Sequence, residues 1–292
     1  MSTSTPGACL CGAVTFAIAP PYRWFAHCHC SLCRKQHGTL FGLGLGVARE
    51  RLQWLTGADD VVHYRATAAF ERPFCRHCGS AVPAASHDER FWHVPAGLLA
   101  ADPGARPRSH IFVASKSPLY ELADTLPRHA AYPPGIHVAP HERRMASAAA
   151  GTIAGSCLCD RIAFRVTATP RRLVNCYCSL CRRRSGAAFT STLLAPSDAL
   201  QWLRGEDRVR HYALPPPQRY AADFCADCGS PTPGVPAGAT VMLPVGAVDT
   251  ALPPLPAVHL YVGSKAPWVA LADDWPQFAE LPSAERFTEF LG

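Results

Sequence analysis

The sequence HCHCSLCRK runs from His27 to Lys35, and the sequence NCYCSLCRR runs from Asn175 to Arg183. Each stretch holds three cysteines in the spacing C-x-C-x2-C. Cysteines this close together can direct their thiolates to one metal ion, but a tetrahedral zinc needs four ligands. The sequence therefore predicts an incomplete metal centre, and it predicts that centre twice.

The sequence around these clusters is also repeated. FCRHCGS at Phe74 corresponds to FCADCGS at Phe224, and HIFVASKSPLYELAD at His110 corresponds to HLYVGSKAPWVALAD at His259. The matched segments keep the same order along the chain, with small changes in loop length. A repeat of this period indicates two domains of ordinary size in one chain.

The repeat limits predict a first domain over residues 1–127 and a second domain over residues 153–292. The intervening residues 128–152 are rich in Pro, Gly and small residues, which is typical of a linker. Within each repeat, short β-prone runs alternate with turn residues, and no amphipathic helical period extends over three turns. We therefore expect a mainly β fold, with a short helix just after each three-cysteine cluster.

Composition narrows the class of protein further. The chain has 48% hydrophobic and 17% charged residues, which is typical of a folded globular protein. Its formal charge of +6 would fall close to zero if the 14 cysteines bound four divalent ions as thiolates, so the charge does not favour nucleic acid. We expect no membrane span and no signal peptide, and hence a cytoplasmic protein, in which disulfides are rare.

The cysteines divide into seven per repeat, in the groups C-x-C, C-x-C-x2-C and C-x2-C. A structural zinc commonly takes two pairs of cysteines from distant parts of a chain, so the spacing favours joining C-x-C to C-x2-C. The glycine after the second C-x2-C cysteine suits the tight turn of such a site. The predicted closed centres are Cys9, Cys11, Cys75 and Cys78, and Cys157, Cys159, Cys225 and Cys228.

Three cysteines then remain in each repeat, and they predict a second zinc with an open fourth position, as in catalytic zinc sites. The open centres are Cys28, Cys30 and Cys33, and Cys176, Cys178 and Cys181. The nearby histidines His27, His29 and His37 correspond to Asn175, Tyr177 and Ser185. Because no histidine is shared, we expect the fourth ligand to come from outside the protein. This interpretation gives two zinc ions per domain and four per chain.

Other interpretations of the cysteines stay open at this point. The thiols could form disulfides, although seven per domain is an odd number. Each domain could hold one structural zinc and three spare thiols. Iron–sulfur or mixed-thiolate clusters also take cysteine ligands.

The segments GACLCGAVTF, CHCSLCRKQHG, FCRHCGS and HIFVASKSP, together with their second copies, resemble the glutathione-dependent formaldehyde-activating enzyme family, which includes centromere protein V. The resemblance implies two β-tent-like zinc domains that form a pseudo-dimer within a monomeric chain. It also implies a structural four-cysteine zinc and a catalytic three-cysteine zinc in each domain. The family motif C-H-C is kept at His29 and is changed at Tyr177.

The activity that the resemblance implies is that of a carbon–sulfur lyase, acting on adducts of glutathione or another thiol with an aldehyde, such as S-hydroxymethylglutathione. Glutathione carries two carboxylates, which need cations. The candidate substrate-binding cations are Arg34, Lys35, Lys116, Arg182, Arg183 and Lys265, although each could equally be a solvated surface charge. No general base is predicted.

A function of a different class also fits the sequence. A zinc-stabilised protein without enzymatic activity could bind another protein or a nucleic acid. Nucleic acid is the less favoured partner, because the basic residues are scattered and do not form a continuous stripe.

Overall fold

A computed structural model describes residues 4–136, 151–216, 220–234 and 239–291 of the chain. These residues form two halves with similar arrangements of short strands. The described part of the first half contains the helix α1 (Ser31–His37) and the strands β1 (Thr5–Ala8), β2 (Thr15–Ile18), β3 (Tyr22–Cys28), β4 (Gly42–Ala48), β5 (Leu52–Thr56), β6 (Val61–Arg65), β7 (Glu71–Cys75), β8 (Ala84–Ala85), β9 (Phe91–Pro95) and β10 (Ser109–Ile111). The described part of the second half contains the helices α2 (Ser179–Ser185) and α3 (Ala284–Leu291) and the strands β11 (Thr152–Ser156), β12 (Ala163–Thr167), β13 (Leu173–Cys176), β14 (Thr190–Pro196), β15 (Leu200–Arg204), β16 (Val209–Ala213), β17 (Ala221–Cys225), β18 (Thr240–Pro244), β19 (Ala257–Leu260) and β20 (Gln277–Phe278).

The strands of each half form one three-stranded, one five-stranded and one two-stranded sheet, and the five-stranded sheets differ only in their extra edge strand, β8 or β20. The sheets of the first half have the orders β1-β2-β5, β10-β3-β4-β9-β8 and β6-β7, and those of the second half have the orders β11-β12-β15, β18-β14-β13-β19-β20 and β16-β17. In the five-stranded sheets, β3 pairs antiparallel with β4 and parallel with β10, and β13 pairs in the same way with β14 and β19. The prediction of a mainly β chain made of two repeated halves is confirmed.

The predicted short helix is present in each half, but it begins directly after the second cysteine and includes the third, and the local sequence sets both of its ends. The Cys30 sulfur accepts a hydrogen bond from the backbone N–H of Cys33 at 3.4 Å, and Cys178 caps α2 through Cys181 at the same distance. Each helix ends at a glycine with positive φ, Gly38 at +65° and its counterpart in α2 at +69°. Glycine adopts this left-handed conformation without steric cost, so both helices stop after seven residues.

The two halves share one hydrophobic core. Buried side chains of both halves, among them Phe16 and Leu45 from the first and Phe164 and Leu193 from the second, belong to a single cluster of contacts. The rings of Phe41 and Phe189 meet edge to face across the boundary, with centroids 5.4 Å apart. The packing of each half therefore depends on the other.

Two glycines allow this close approach of the halves. Gly97 and Gly246 occupy equivalent 3-10 turns, Ala96–Leu98 and Val245–Ala247. A Cβ at Gly246 would lie 1.9 Å from the carbonyl oxygen of Arg34, and one at Gly97 would lie 2.2 Å from that of Ala187. Since real Cβ atoms do not approach backbone oxygens this closely, only glycine fits at either turn.

The predicted linker is partly built into the first half. The backbone N–H of His129 donates to the His110 carbonyl at 2.8 Å, and that of Phe112 donates to the Ala131 carbonyl at 3.1 Å. Residues 128–132 thus run beside β10. Residues 137–150 of the predicted linker lie outside the described residues, and the domain limits stay a prediction. No helix in the described ranges is long and apolar enough to cross a bilayer.

Candidate metal centres

Each half brings its C-x-C pair and its C-x2-C pair together, as the spacing predicted. The first pair follows β1 or β11, and the second pair begins at the last residue of β7 or β17. The four sulfurs of each group lie within 4.8 Å of one another and could hold a metal ion: Cys9, Cys11, Cys75 and Cys78 in the first half, and Cys157, Cys159, Cys225 and Cys228 in the second. We call these groups the closed centres.

The sulfur separations exclude disulfides within the closed centres. Cys9 Sγ lies 3.4 Å from Cys11 Sγ, and Cys157 Sγ lies 3.4 Å from Cys159 Sγ. A disulfide bond is about 2.05 Å long. Four sulfurs arranged tetrahedrally at about 2.3 Å from a zinc ion are about 3.8 Å apart. All fourteen cysteines are free thiols, and the closed centres match the donor set of a structural zinc.

In each half, one serine contacts both of the loops that carry the four cysteines of the closed centre. Ser80 Oγ accepts a hydrogen bond from the backbone N–H of Leu10 at 3.0 Å and lies 3.3 Å from Cys78 Sγ. Ser230 makes the equivalent contacts with Leu158 and Cys228 in the second half. The serine fixes the C-x-C turn against the C-x2-C turn, so the four sulfurs are held in place by the fold itself.

The protonation of these thiols is coupled. Hydrogen bonds with Cys11, Cys78 and Cys9, and then burial, raise the pKa of Cys75 far above its usual range. Hydrogen bonds with Cys11, Cys75 and Cys9 lower the pKa of Cys78. Four adjacent thiols therefore cannot all ionise unless a cation shares their charge. A divalent ion in the centre supplies that cation.

The remaining six cysteines form two three-sulfur groups, which we call the first and second open centres. Cys28, Cys30 and Cys33 make up the first, at the junction of β3 and α1, and Cys176, Cys178 and Cys181 make up the second, at the junction of β13 and α2. The three sulfurs of each group lie within 4.8 Å of one another. Among the described residues, no His, Asp or Glu side chain joins either group within that distance.

Sequence reasoning missed a pair of Asp–His dyads beside the open centres. His29 Nε2 is hydrogen-bonded to His110 Nδ1 at 2.9 Å, and His110 Nε2 lies 2.9 Å from the Asp124 carboxylate. In the second half, the Tyr177 hydroxyl lies 2.9 Å from His259 Nδ1, and His259 Nε2 lies 2.9 Å from the carboxylate of Asp273.

These dyads hold the residue between the first two cysteines of each open centre. Burial, and then the nearby His110, lowers the pKa of His29 to about 2, so this imidazole is neutral. Tyr177 replaces His29 and keeps the hydrogen bond to its dyad. The matched His and Asp of HIFVASKSPLYELAD and HLYVGSKAPWVALAD could have revealed the dyads in the sequence.

The first open centre is enclosed. Phe112 packs in the same cluster as its cysteines, and Tyr132 meets Phe112 edge to face with ring centroids 4.7 Å apart. The guanidinium of Arg72 is buried and interacts electrostatically with all three thiols. The Arg72 Nε has no hydrogen-bond partner among the described residues.

The second open centre has different neighbours. The hydroxyl of Tyr220 donates to Cys181 Sγ at 3.6 Å, and burial raises the pKa of this phenol well above its usual range. Ala222 takes the place of Arg72 in the matched strand. Leu281, which corresponds to Tyr132, is exposed. The two open centres are thus alike in their sulfurs and unlike in what surrounds them.

The predicted substrate cations fall into two groups. Lys35 is buried, and its Nζ contacts Asp249 of the other half at 2.8 Å and the Ser156 carbonyl at 2.7 Å, so the structure does not support a role for it on a substrate. Arg34 Nε donates to the His29 carbonyl at 3.2 Å. Lys116 Nζ donates to the carbonyls of Ser117 and Tyr120, and Lys265 Nζ donates to the carbonyl of Val269. These two lysines therefore stabilise the local turns in which they lie.

The arginines of α2 are less committed to protein contacts. The Nε atoms of Arg182 and Arg183 are buried and have no hydrogen-bond partner among the described residues. Arg182 Nη2 makes one long contact, 3.5 Å, with the carbonyl of Ser264. Of the six predicted cations, these two keep N–H groups that could meet a substrate.

His37 lies on the boundary of the halves. Its Nδ1 donates to the carbonyl of Ser185, which fixes the tautomer and leaves the Nε2 lone pair unprotonated. The side chains of His37 and Cys33 both lie against Gly42, because a Cβ added there would be 3.0 Å from this Nε2 and 3.1 Å from Cys33 Cβ. Burial lowers the pKa of His37 to about 4, the Ser185 hydrogen bond opposes this, and Arg72 adds to it. The imidazole is outside the three-sulfur group, and the absence of a histidine as fourth ligand stays a prediction.

Comparison with known proteins places these features in a family. A sequence model described as glutathione-dependent formaldehyde-activating enzyme matches the chain twice, at residues 4–115 and at residues 152–264. A Halomonas elongata protein, provisionally named for the same activity, is 36% identical over 83 residues, which cover 26% of this chain and 52% of that protein. The chain thus spans about half the length of this curated relative. A crystal structure of a Rhodobacter sphaeroides protein matches at 23% identity with a TM-score of 0.30, over 35% of this chain and 92% of that one.

Proposed function

The chain belongs to the glutathione-dependent formaldehyde-activating enzyme family, and from this premise we propose that it is a zinc-dependent enzyme of the carbon–sulfur lyase type. Its substrates would be adducts of glutathione, or of another thiol, with an aldehyde, such as S-hydroxymethylglutathione. The reaction would take place in the cytoplasm. The observation that carries the proposal is the presence of three convergent sulfurs in each half, without a fourth ligand among the described residues.

Zinc fits both kinds of centre through the chemistry of the donors. The closed centres offer four thiolates, the usual shell of a structural zinc, and the open centres offer three thiolates and leave one position free. The proposed ligands are thus all fourteen cysteines, for two zinc ions per half. When bound in an open centre, zinc would hold an incoming thiol as its thiolate.

The residues around the open centres would position the thiol compound. Arg182 and Arg183 follow Cys181 directly, and their unpartnered N–H groups suit the carboxylates of glutathione. The Asp–His dyads hold the loop that carries the first two cysteines, which keeps the sulfurs convergent. In the synthetic direction, the thiol sulfur bonds to the aldehyde carbon, and the proton lost from sulfur ends on the former carbonyl oxygen.

The test combines metal content with turnover. Zinc per chain is measured on protein purified without oxygen or chelator, for the wild type and for the double variant Cys30→Ser/Cys178→Ser. We expect about four zinc ions in the wild type and about two in the variant, since the closed centres remain. The double variant Ser31→Ala/Ser179→Ala changes the same loops without removing a ligand, and it should keep about four.

Turnover is followed by exchange NMR between 13C-formaldehyde and S-hydroxymethylglutathione. The wild type should accelerate the exchange over buffer, and Cys30→Ser/Cys178→Ser should not. A protein with four zinc ions that leaves the exchange rate at its buffer value would contradict the enzymatic proposal. A binding or scaffold role would then replace it.

A further inference from the structure

We infer that the two open centres have different roles. The second centre, formed by Cys176, Cys178 and Cys181, takes up a thiol from solution, and the first centre is sealed and electrically balanced within the protein. Each chain would then have one working centre. This inference rests on the proposed function, and it names the centre at which the thiol binds.

Access to the sulfurs differs between the centres. The three cysteines of the first centre are only 8%, 5% and 3% exposed, in the order Cys28, Cys30 and Cys33. In the second centre, Cys176 and Cys178 are half-buried, and only Cys181 is buried, at 8%. A bulky thiol such as glutathione therefore meets more exposed sulfur at the second centre, on Cys176 and Cys178, than at the first.

One matched position accounts for part of this difference. Residues 128–132 follow β10, and they bring the ring of Tyr132 against Phe112 at the first centre. In the first half, Ala114 N–H donates to the Ala130 carbonyl. In the second half, Gly263 N–H makes the matching contact with the Ala279 carbonyl, so Leu281 occupies the position of Tyr132. Leu281 is 57% exposed and covers nothing comparable. Tyr132 acts as a seal that the second half lacks.

The charge around the sulfurs also differs between the two centres, and it too favours thiol binding at the second. Arg72 is buried, and no carboxylate in the described part of the chain forms an ion pair with it, so the three thiols are its anionic neighbours. Three thiolates around a divalent ion carry a net charge of −1, which the guanidinium balances. A fourth thiolate would leave an unbalanced charge in a buried site, which is unfavourable. The matched residue of the second half is Ala222, so no arginine occupies this place there.

The cations available to a substrate also favour the second centre. Beside the first centre, Arg34 donates to the His29 carbonyl and Lys35 pairs with Asp249. Beside the second centre, Arg182 and Arg183 keep buried Nε atoms without a partner. A thiol that carries carboxylates therefore finds two guanidinium groups with an unpartnered Nε beside the second centre, whereas Arg72 beside the first centre interacts with the three thiols.

The loss of the family histidine does not disable the second centre. Tyr177 points to His259, to which it is hydrogen-bonded at 2.9 Å, and is almost completely buried. The side chain that replaces His29 thus keeps the same anchoring contact. The three sulfurs of the second centre, like those of the first, lie within 4.8 Å of one another.

The experiment uses the zinc-loaded full chain and two exchanged residues, Tyr132→Leu and Leu281→Tyr. Each cysteine's rate of alkylation by iodoacetamide is measured by peptide mass spectrometry, with and without glutathione, and the number of glutathione molecules bound is measured by calorimetry. In the wild type, Cys176 and Cys178 should react about tenfold faster than the first-centre cysteines, because burial suppresses thiol reactivity. One glutathione should bind per chain and protect only the second centre.

The variants should shift these results in opposite directions. Tyr132→Leu should speed alkylation of the first-centre cysteines, and Leu281→Tyr should slow that of Cys176 and Cys178 and weaken glutathione binding. Leu281 is exposed, so its replacement should leave the fold and the zinc content unchanged. Equal protection of both centres, or protection of the first alone, would overturn the inference and leave the proposed function standing. A lack of glutathione binding at either centre would overturn both.

Discussion

Replacing Lys35 by Met tests how the two halves are joined. The ammonium group of Lys35 contacts Asp249 Oδ1 at 2.8 Å, the Ser156 carbonyl at 2.7 Å and the Ser156 hydroxyl at 3.1 Å, all in the other half. Its side chain is 4% exposed. Methionine keeps an unbranched side chain of similar length but removes the charge and the three donors, so the change addresses the contact and not the packing.

The expected loss follows from what stays behind. Removing one partner of a buried ion pair costs about 3–5 kcal/mol, because the other charge stays unpaired. Asp249 is 26% exposed and still accepts a hydrogen bond from the Ser156 hydroxyl at 2.5 Å. Both features reduce the cost of the unpaired carboxylate, so we expect a loss at the lower end of that range. We expect Lys35→Met to lower the free energy of unfolding by about 3 kcal/mol. Asp249→Asn keeps an acceptor for the ammonium and should cost less, about 1–2 kcal/mol.

The assay is urea unfolding of the zinc-loaded chain, followed by tryptophan fluorescence and by far-ultraviolet circular dichroism. Because the halves share one core, both probes should report one transition in the wild type. The exposed Lys265 is a matched control, and Lys265→Met should change stability by less than about 1 kcal/mol. If Lys35→Met unfolds like the wild type but binds glutathione less tightly, Lys35 is a substrate cation and the structural argument fails.

Two further substitutions probe the same boundary. Gly246→Ala should lower the free energy of unfolding by about 3 kcal/mol or more, because its Cβ would lie 1.9 Å from the Arg34 carbonyl oxygen. A variant that unfolds at the same urea concentration as the wild type would contradict this packing. For His37, a folded-state pKa of about 4 lies below the usual 6.5, so this residue alone should account for about 2 kcal/mol of the stability that the wild type loses as the pH falls from 7 to 5. His37→Asn, which can still donate to Ser185, should lose less over that range, and parallel pH curves for the two proteins would exclude this cause.

The sequence predicted the metal centres because metal chemistry acts over short distances. Two thiolates can share one ion only if they are a few residues apart or are brought together as pairs, so the pairs are visible in the spacing itself. Cys9 with Cys11, and Cys75 with Cys78, are such pairs. The glycine that follows Cys78 takes φ of +71°, as the tight turn requires. The parallel pairing of β10 with β3 joins segments about eighty residues apart, and no local pattern specifies it.

The charged residues were harder to interpret, because their partners lie in the other half. Lys35 follows the first open centre directly, and the sequence alone places it equally well on a substrate or in solvent. Its partner Asp249 is adjacent only after the halves have packed. Arg72 lies in β7, and its place beside three thiols that are about forty residues away in the chain depends on tertiary packing that no local pattern shows.

The two halves are less symmetric at their boundary than their repeated sequences suggest. The sequence predicts no ligand role for His37, because the matched residue is Ser185 and two equivalent halves would use the same ligands. In the structure these two positions meet each other, and the imidazole donates to the Ser185 carbonyl. A residue without a counterpart can thus be the contact itself.

The covalent fusion explains why such unequal contacts can exist. In a symmetric dimer of identical subunits, one residue type must serve on both sides of the two-fold axis, so a histidine at position 37 would face a second histidine. Here the ring meets a serine, whose small side chain leaves the ring room to donate to the backbone carbonyl of residue 185. The same freedom applies at Tyr132 and Leu281, where one residue seals a centre and the other leaves its counterpart uncovered. Two halves encoded separately can therefore keep the sulfurs identical while the surroundings of each centre change independently.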